Sequence, residues 1–353
     1  MKVTYLIGNG FDVNLGLPTK YSDYYQEYIE GIENLDDSNP DNKMIKEFWD
    51  KIKNQIFDKW QDFEMACAEY LDGDEKNVKA VLLDFTNKFS KYLLDLSSSY
   101  ECSDEVADAF VDFVKNGYRS LTQRDLKQVY QYQVGLPINF DIRFINFNYT
   151  DSIEKVLNNY KNRHGSLIIH EINNANLQCS SKLNNSILHL HGSLKAHDLV
   201  IIGVDSTEQL KSSTLKDNPN LEKYCVKSSI NQISGFGERE EQYISLVNSS
   251  DIIYTYGISF GETDKYRWTI LKKWLSENDK HKLVVYEYNS KIHDHESYYI
   301  IELLNYIDDK KRGVMKLIGI EESDYDKYLD QVFVIDSGDV LKCKFTKKEE
   351  VTT

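Results

Sequence analysis

Residues 3–7 read VTYLI and run directly into Gly8-Asn9-Gly10. A β-branched, apolar run of five closed by a glycine predicts a buried strand. The two glycines predict a tight turn at its end, where backbone N–H groups can approach a ligand such as a phosphate. The same spelling also suits a plain strand-to-helix turn with no ligand. Val13 stands where the dinucleotide fingerprint G-x-G-x-x-G has its third glycine. The pattern is instead G-x-G-x5-G-Leu-Pro, closing at Gly16-Leu17-Pro18.

The chain of 353 residues is long enough for one large domain or two, each with its own core. Its 41% hydrophobic content fits a folded protein, and only 4 prolines and 17 glycines favour long regular elements over linkers. The 25 tyrosines outnumber the 15 phenylalanines, which predicts many half-buried rings with wet hydroxyls. A net charge of −15 opposes broad nucleic-acid binding, which needs basic patches. The 5 cysteines form no C-x-x-C pair, so no zinc ribbon is readable and no metal is expected. Scattered thiols, a strand at the very N-terminus and the lack of any long apolar run predict a cytoplasmic protein without membrane association.

Past Pro18 the pattern turns helical. Apolar residues recur at helical spacing from Ile45 through Phe63, again over 78–96, and after a capping Ser103. Strand-like runs return at 141–147, 186–190, 199–204, 251–256, 282–288 and 332–335. Helical stretches between several of them predict an α/β fold, a Rossmann-like, mainly parallel sheet with a large helical insertion after the first strand. The expected division is a core of residues 1–20 and 136–340, a helical layer of 21–135 and a frayed tail of 341–353. Ligands of such sheets bind at the carboxyl ends of strands.

Residues with chemistry stand at those ends. Asn148 follows the run RFINF; its amide both donates and accepts while staying neutral, so it orients rather than abstracts a proton. Asn148 and Asp151 also suit the cap of the next helix, and Asn146 lies on the same strand face as Asn148. His189 and His191 fall on one face of the next run, with His191 at its end before Gly192. An imidazole there is a natural base near neutral pH, although a lone histidine at a strand end is more often structural. Gly192 would let a ligand come close. Gly257-Ile258-Ser259 follows the run ending at Tyr256, and Glu287 and Asn289 close the run LVVYEYN. Gly257-x-Ser259-x-Gly261 has the spelling of a hydrolase elbow, but His191 precedes the serine, against the hydrolase order. Thr263 and Asp264 read as helix caps, and Asp62 and Glu64 as a solvated helix face.

The opening LIGNGFDVNLGLPTKYSDY resembles the AbiH family of phage abortive-infection proteins, as does Trp60-Gln61-Asp62-Phe63-Glu64. The ordered set of glycine turn, Asn148-Tyr149 with Glu154, His191-Gly192, Gly257-x-Ser259 and a late Asn289 is similar to the sirtuin (SIR2-like) superfamily. Thr150 stands where its defence NAD hydrolases carry aspartate, and the four-cysteine zinc module of the deacylases is missing. The resemblance implies that NAD is cleaved as a substrate in anti-phage defence, with Asn148 and His191 catalytic. It implies cofactor contacts at Gly8, Asn9, Gly10, Phe11, Asp12, Gly192, Gly257, Ser259 and Asn289. A homo-oligomer and a phage-borne trigger fit this class. A non-catalytic nucleotide sensor is the alternative that Thr150 favours. A further alternative is a nuclease with a metal on Asp62, Glu64 and Asp151.

Overall fold

The computed structural model describes residues 1–52, 60–71, 75–117, 121, 123–130, 139–172, 178–194, 198–212, 216, 218–233, 237–287, 300–337 and 341–348. The strands among them are β1 (Lys2–Ile7), β2 (Tyr100–Glu101), β3 (Asn139–Asn146), β4 (Ile168–Ile172), β5 (Gln178–Leu183), β6 (Leu188–His189), β7 (Ile252–Tyr256), β8 (Lys282–Glu287), β9 (Val332–Asp336) and β10 (Thr346–Lys347). One sheet runs β4-β5-β3-β1-β7-β8-β9, with β6 also beside β3. Every pairing in it is parallel except β4 with β5. From β5 to β9 the order is that of a doubly wound sheet, with the chain starting in the middle and winding first to one side, then the other. The fold is therefore a Rossmann-like α/β fold.

β1 shows why a central strand is mostly apolar. Val3, Tyr5 and Ile7 point into one core, shared with Phe110 of helix Asp104–Lys115 and Val156 of helix Ser152–His164. Leu6 points into the opposite core with Leu271 and Trp274 of helix Lys265–Glu277. Side chains alternate along a strand, so a sheet covered on both faces needs apolar residues at odd and even positions alike.

A third core lies in the helices inserted between β1 and β3. Tyr21, Tyr24 and Tyr28 of helix Tyr21–Glu33 pack on Trp49, Phe63, Phe85 and Phe89. The Phe63 and Phe85 rings are 4.2 Å apart, and Trp49 stacks on Phe63 at 5.7 Å. These tyrosines are buried rather than half-wet, and so are Tyr5, Tyr243 and Tyr286. The hydroxyls of that second group donate to the backbone carbonyls of Val114, Arg267 and Gly117.

Several sequence expectations change. Helix Asp104–Lys115 packs on the sheet rather than joining the helical layer. The run 199–204 forms no strand; Val204 makes one bridge with Val226, and Ile202 and Val204 are apolar because they complete the helical layer's core. The run 186–190 contracts to the two residues of β6. β4 and β5 (IIHEI and QCSSKL) went unread because an edge pair tolerates polar residues. Residues 341–348 are docked: Leu341 and Phe345 are buried, Phe345 N–H donates to Leu15 O at 2.8 Å, and β10 pairs with β2. No helix among the described residues is long and apolar enough to cross a membrane.

Candidate functional site

Register sets the site. Ile7 pairs with Asn146 on one side and with Tyr256 on the other, so the chain leaves β1, β3 and β7 at one level. β3 and β7 flank β1 where the winding reverses, which opens a crevice at the carboxyl ends. A cavity of about 320 Å³ lies there, with Gly8, Asn9, Gly10, Asp12, Asn148, His191, Gly257 and Ser259 among its lining residues. The helical layer closes it with Tyr21, Glu64, Phe89 and Leu93.

The glycine turn works differently from the sequence expectation. Gly8 N–H donates to Tyr256 O at 2.9 Å and Gly10 N–H to Gly257 O at 3.1 Å. Those donors are committed to the protein. A Cβ on Gly8 would meet Gly257 O at 2.4 Å, and one on Gly10 would meet Gly257 Cα at 2.6 Å. The glycines let two strand-end turns touch, backbone to backbone. Asn9 likewise ties the turn: its amide donates to Thr19 O at 3.1 Å and accepts from Thr19 Oγ1 at 2.7 Å. Donors without a protein partner among the described residues lie opposite, at Ile258 N–H, Ser259 N–H and the Ser259 hydroxyl. Lys20 stands exposed among the lining residues. In the same loop Phe260 is buried at φ 52°, a costly conformation for a bulky residue that accompanies functional loops.

Asn148 is fixed at three points. Its N–H donates to Asn146 Oδ1 at 2.9 Å, its Nδ2 to Gly8 O at 3.1 Å, and its carbonyl lies 3.2 Å from His189 Nδ1. The Nε2 of His189 lies 2.8 Å from Glu154 Oε1. The remaining atom, Asn148 Oδ1, has no protein partner among the described residues, which leaves an oriented acceptor on the cavity wall. Asp151 occupies the cap position of helix Ser152–His164 but makes no capping bond; it accepts from Ser97 Oγ at 2.6 Å instead.

His191 follows β6 and is 7% exposed. Its Nε2 lies 2.8 Å from Asp264 Oδ1, and its ring meets the edge of Phe147 at 5.5 Å. Asp264 also receives Arg267 Nη1 at 2.9 Å and Lys227 Nζ at 3.3 Å. Lys227, 1% exposed, bonds Glu64 Oε1 at 3.0 Å and Thr263 O at 3.1 Å. Burial pulls His191 down to about 4, helped by Lys227 and Arg267 and opposed by Asp264. The ring is neutral at pH 7. Burial alone would raise Asp264, but His191, Lys227 and Arg267 outweigh it and hold the carboxyl well below its usual range. Burial raises Glu64 against the pull of Lys227. Removing Lys227 leaves two buried carboxylates short of a cation. Lys227→Met is expected to cost about 3–5 kcal/mol in urea unfolding, and Glu64→Gln with Lys227→Met less than the sum of the two.

Asp12 is fully buried, and its Oδ2 accepts from Thr150 Oγ1 at 2.6 Å. Its Oδ1 has no partner among the described residues, and burial raises the carboxyl to about 6. Between the ordinary 3.8 and 6 the folded state holds a proton that the unfolded chain has lost, so this contribution to stability is complete below 3.8 and gone above 6. His191 acts oppositely: its contribution is complete above 6.5 and lost as pH falls through about 4. The two offset each other in the parent. Asp12→Asn is expected to uncover an extra loss, relative to the parent, on the order of 2–3 kcal/mol between pH 7 and pH 4. Urea unfolding at both pH values checks it.

Other expected contacts fall elsewhere. Phe11 is a core residue, 5.3 Å from the Phe110 ring. Gly192 is required by chain packing rather than by a ligand: at φ 86° a Cβ would sit 1.5 Å from Leu199 O. Glu287 pairs with Lys310. Asn289 lies outside the described residues, as does the side chain of Asp62. Glu64 is buried in the cavity wall, not solvated. With Glu64 on Lys227 and Asp151 on Ser97, those two carboxylates serve separate contacts. Among the described residues no group of three or more His, Cys, Asp or Glu is placed to hold a metal ion. The residues that went unread are Asp264, Lys227 and Arg267. Asp264 resembled a cap, yet it starts helix Lys265–Glu277 without a capping bond. A lone lysine and arginine carry no readable pattern.

Fold and site define a mainly parallel α/β protein with a cavity at its topological switch point. A family model described as bacteriophage abortive infection AbiH matches residues 4–286. The chain belongs to the AbiH family, and that membership points to a role in phage abortive infection. No individually curated protein matches it.

Proposed function

We propose that this AbiH protein cleaves NAD, releasing nicotinamide, as its contribution to abortive infection. The observation that carries the reading is the convergence of Asn148 and His191 on one cavity at the switch point of a parallel sheet. Such a crevice suits a dinucleotide, and the residues fit the reaction. Asn148 Oδ1 is an uncommitted acceptor for a ribose hydroxyl or water. His191 is a neutral imidazole that can accept a proton; burial holds it down at about 4, and the Asp264 carboxylate beside Nε2 offsets part of the cost of charging the ring. With the Gly8 and Gly10 N–H groups bonded to Tyr256 O and Gly257 O, the donors available to phosphate oxygens include Ile258, Ser259 and Lys20.

The C1′–N1 glycosidic bond breaks and its electron pair stays on the ring nitrogen, which neutralises the charge and releases nicotinamide. Positive charge shared between C1′ and the ring oxygen develops in the transition state, as in other glycosidic cleavage. Water oxygen bonds to C1′, its proton passes to His191 and then to solvent, and ADP-ribose remains. Placement and electrostatics supply the rate, with no covalent enzyme intermediate.

Thr150 does not leave this region without a carboxylate, because its hydroxyl meets Asp12. Incubating purified protein with NAD, and assaying NAD in phage-infected cells that carry it, tests the reading. Nicotinamide release or infection-dependent NAD loss is expected. NAD binding with no turnover in either assay would instead mark the sensor.

A further inference from the structure

We infer that Asp264 is a positioning residue that fixes His191 in the tautomer protonated at Nε2 and so presents the Nδ1 lone pair to the cavity. The role in catalysis rests on the reading of His191 as the base; the tautomer is observable without it.

The geometry starts at the boundary between the loop after β7 and helix Lys265–Glu277. Asp264 stands at the cap position but leaves the helix N–H groups alone. Its Oδ1 faces His191 Nε2 at 2.8 Å, Arg267 Nη1 at 2.9 Å and Lys227 Nζ at 3.3 Å. With two cations on it the carboxylate stays ionised, and an ionised carboxylate only accepts. The facing nitrogen must therefore carry hydrogen. The ring is neutral at pH 7, which leaves the lone pair on Nδ1. Nδ1 has no protein partner among the described residues, and His191 lines the cavity.

The charged groups around this pair come from several elements. Lys227 approaches from helix Lys227–Ile233, Arg267 from the helix that Asp264 opens, and Glu64 from helix Trp60–Tyr70 through Lys227. Asp205 faces the same Arg267 Nη1 at 3.7 Å and Glu240 faces Nη2 at 3.0 Å, and Tyr149 lies 6.4 Å from the imidazole, ring to ring. When Nδ1 takes a proton, the imidazolium forms against the Asp264 carboxylate, which offsets part of the cost of charging a buried ring. The helical layer, through Glu64 and Lys227, is thereby linked to the base.

The decisive test is the wild-type protein labelled with ¹⁵N-histidine. Two-bond ¹H–¹⁵N correlations at pH 7 report each tautomer, and the signals missing from His191→Ala assign residue 191. Protonation at Nε2 with a bare Nδ1 is expected. An Nδ1–H tautomer or an imidazolium would overturn the inference whether or not NAD is cleaved. In Asp264→Asn the carboxamide can donate as well as accept, so loss of the pure Nε2–H pattern is expected. Where the protein releases nicotinamide, kcat of this variant should fall about 10²–10⁴-fold with KM for NAD within about threefold. Unchanged kcat in the folded variant would overturn the role. If wild type cleaves no NAD, the proposed reaction fails while the spectrum still decides the tautomer.

Discussion

His191→Ala is expected to reduce nicotinamide release by about 10²–10⁴-fold, the usual contribution of a positioned acid–base group. Asn148→Ala should do the same by a different route. The histidine variant removes the acceptor of the proton. The asparagine variant removes the cavity-facing Oδ1 and also the bond that ties Nδ2 to Gly8 O at 3.1 Å. Asn148→Asp separates these effects: it keeps an oxygen acceptor but loses the Nδ2 donor to Gly8. It should therefore retain more activity than alanine if Oδ1 is what matters. Each variant is compared with the parent by circular dichroism and urea midpoint. Activity within threefold of the parent for folded His191→Ala would remove the base from the proposal.

Gly257→Ala should be severely destabilising. Gly257 has φ 68°, and a Cβ would lie 2.6 Å from both Gly10 Cα and Phe11 N. The left-handed conformation alone costs an alanine about 1–2 kcal/mol. Backbone has no rotamer with which to retreat, so the β1 and β7 turns must separate. A loss of about 4 kcal/mol or more is expected, together with an opened cavity. Gly31→Ala is the matched control. Gly31 sits within helix Tyr21–Glu33 with nothing within 4 Å of an added Cβ. There alanine should stabilise by about 0.5–1 kcal/mol. Urea midpoints of the two variants should move in opposite directions.

Much of the sheet could be read in advance because β1, β7, β8 and β9 are largely buried on both faces and therefore spell mostly apolar runs, and β3 does so in its second half. The same logic misled at 199–204, where an apolar run packs against helices without pairing as a strand. Periodicity records burial, and burial has more than one cause. It also missed β4 at the sheet's edge and β5 beside it, where polar residues interrupt the apolar pattern. At the site, Asn148 and His191 stood out because each closes a strand-like run. Asp264, Lys227 and Glu64 did not, because each looks like an ordinary cap or surface charge until three separate segments meet.

By itself the amino-acid order determined the strand-and-helix alternation, the family, and the strand ends at which polar residues collect. Tertiary structure alone decided what those residues face. It spent the first turn's N–H groups on the chain leaving β7, turned Glu64 inward, and set a buried carboxylate against His191. The physical reason is range. Local spacing reports whether a residue is covered, whereas the charge, donor or acceptor that covers it arrives from a segment tens or hundreds of residues away.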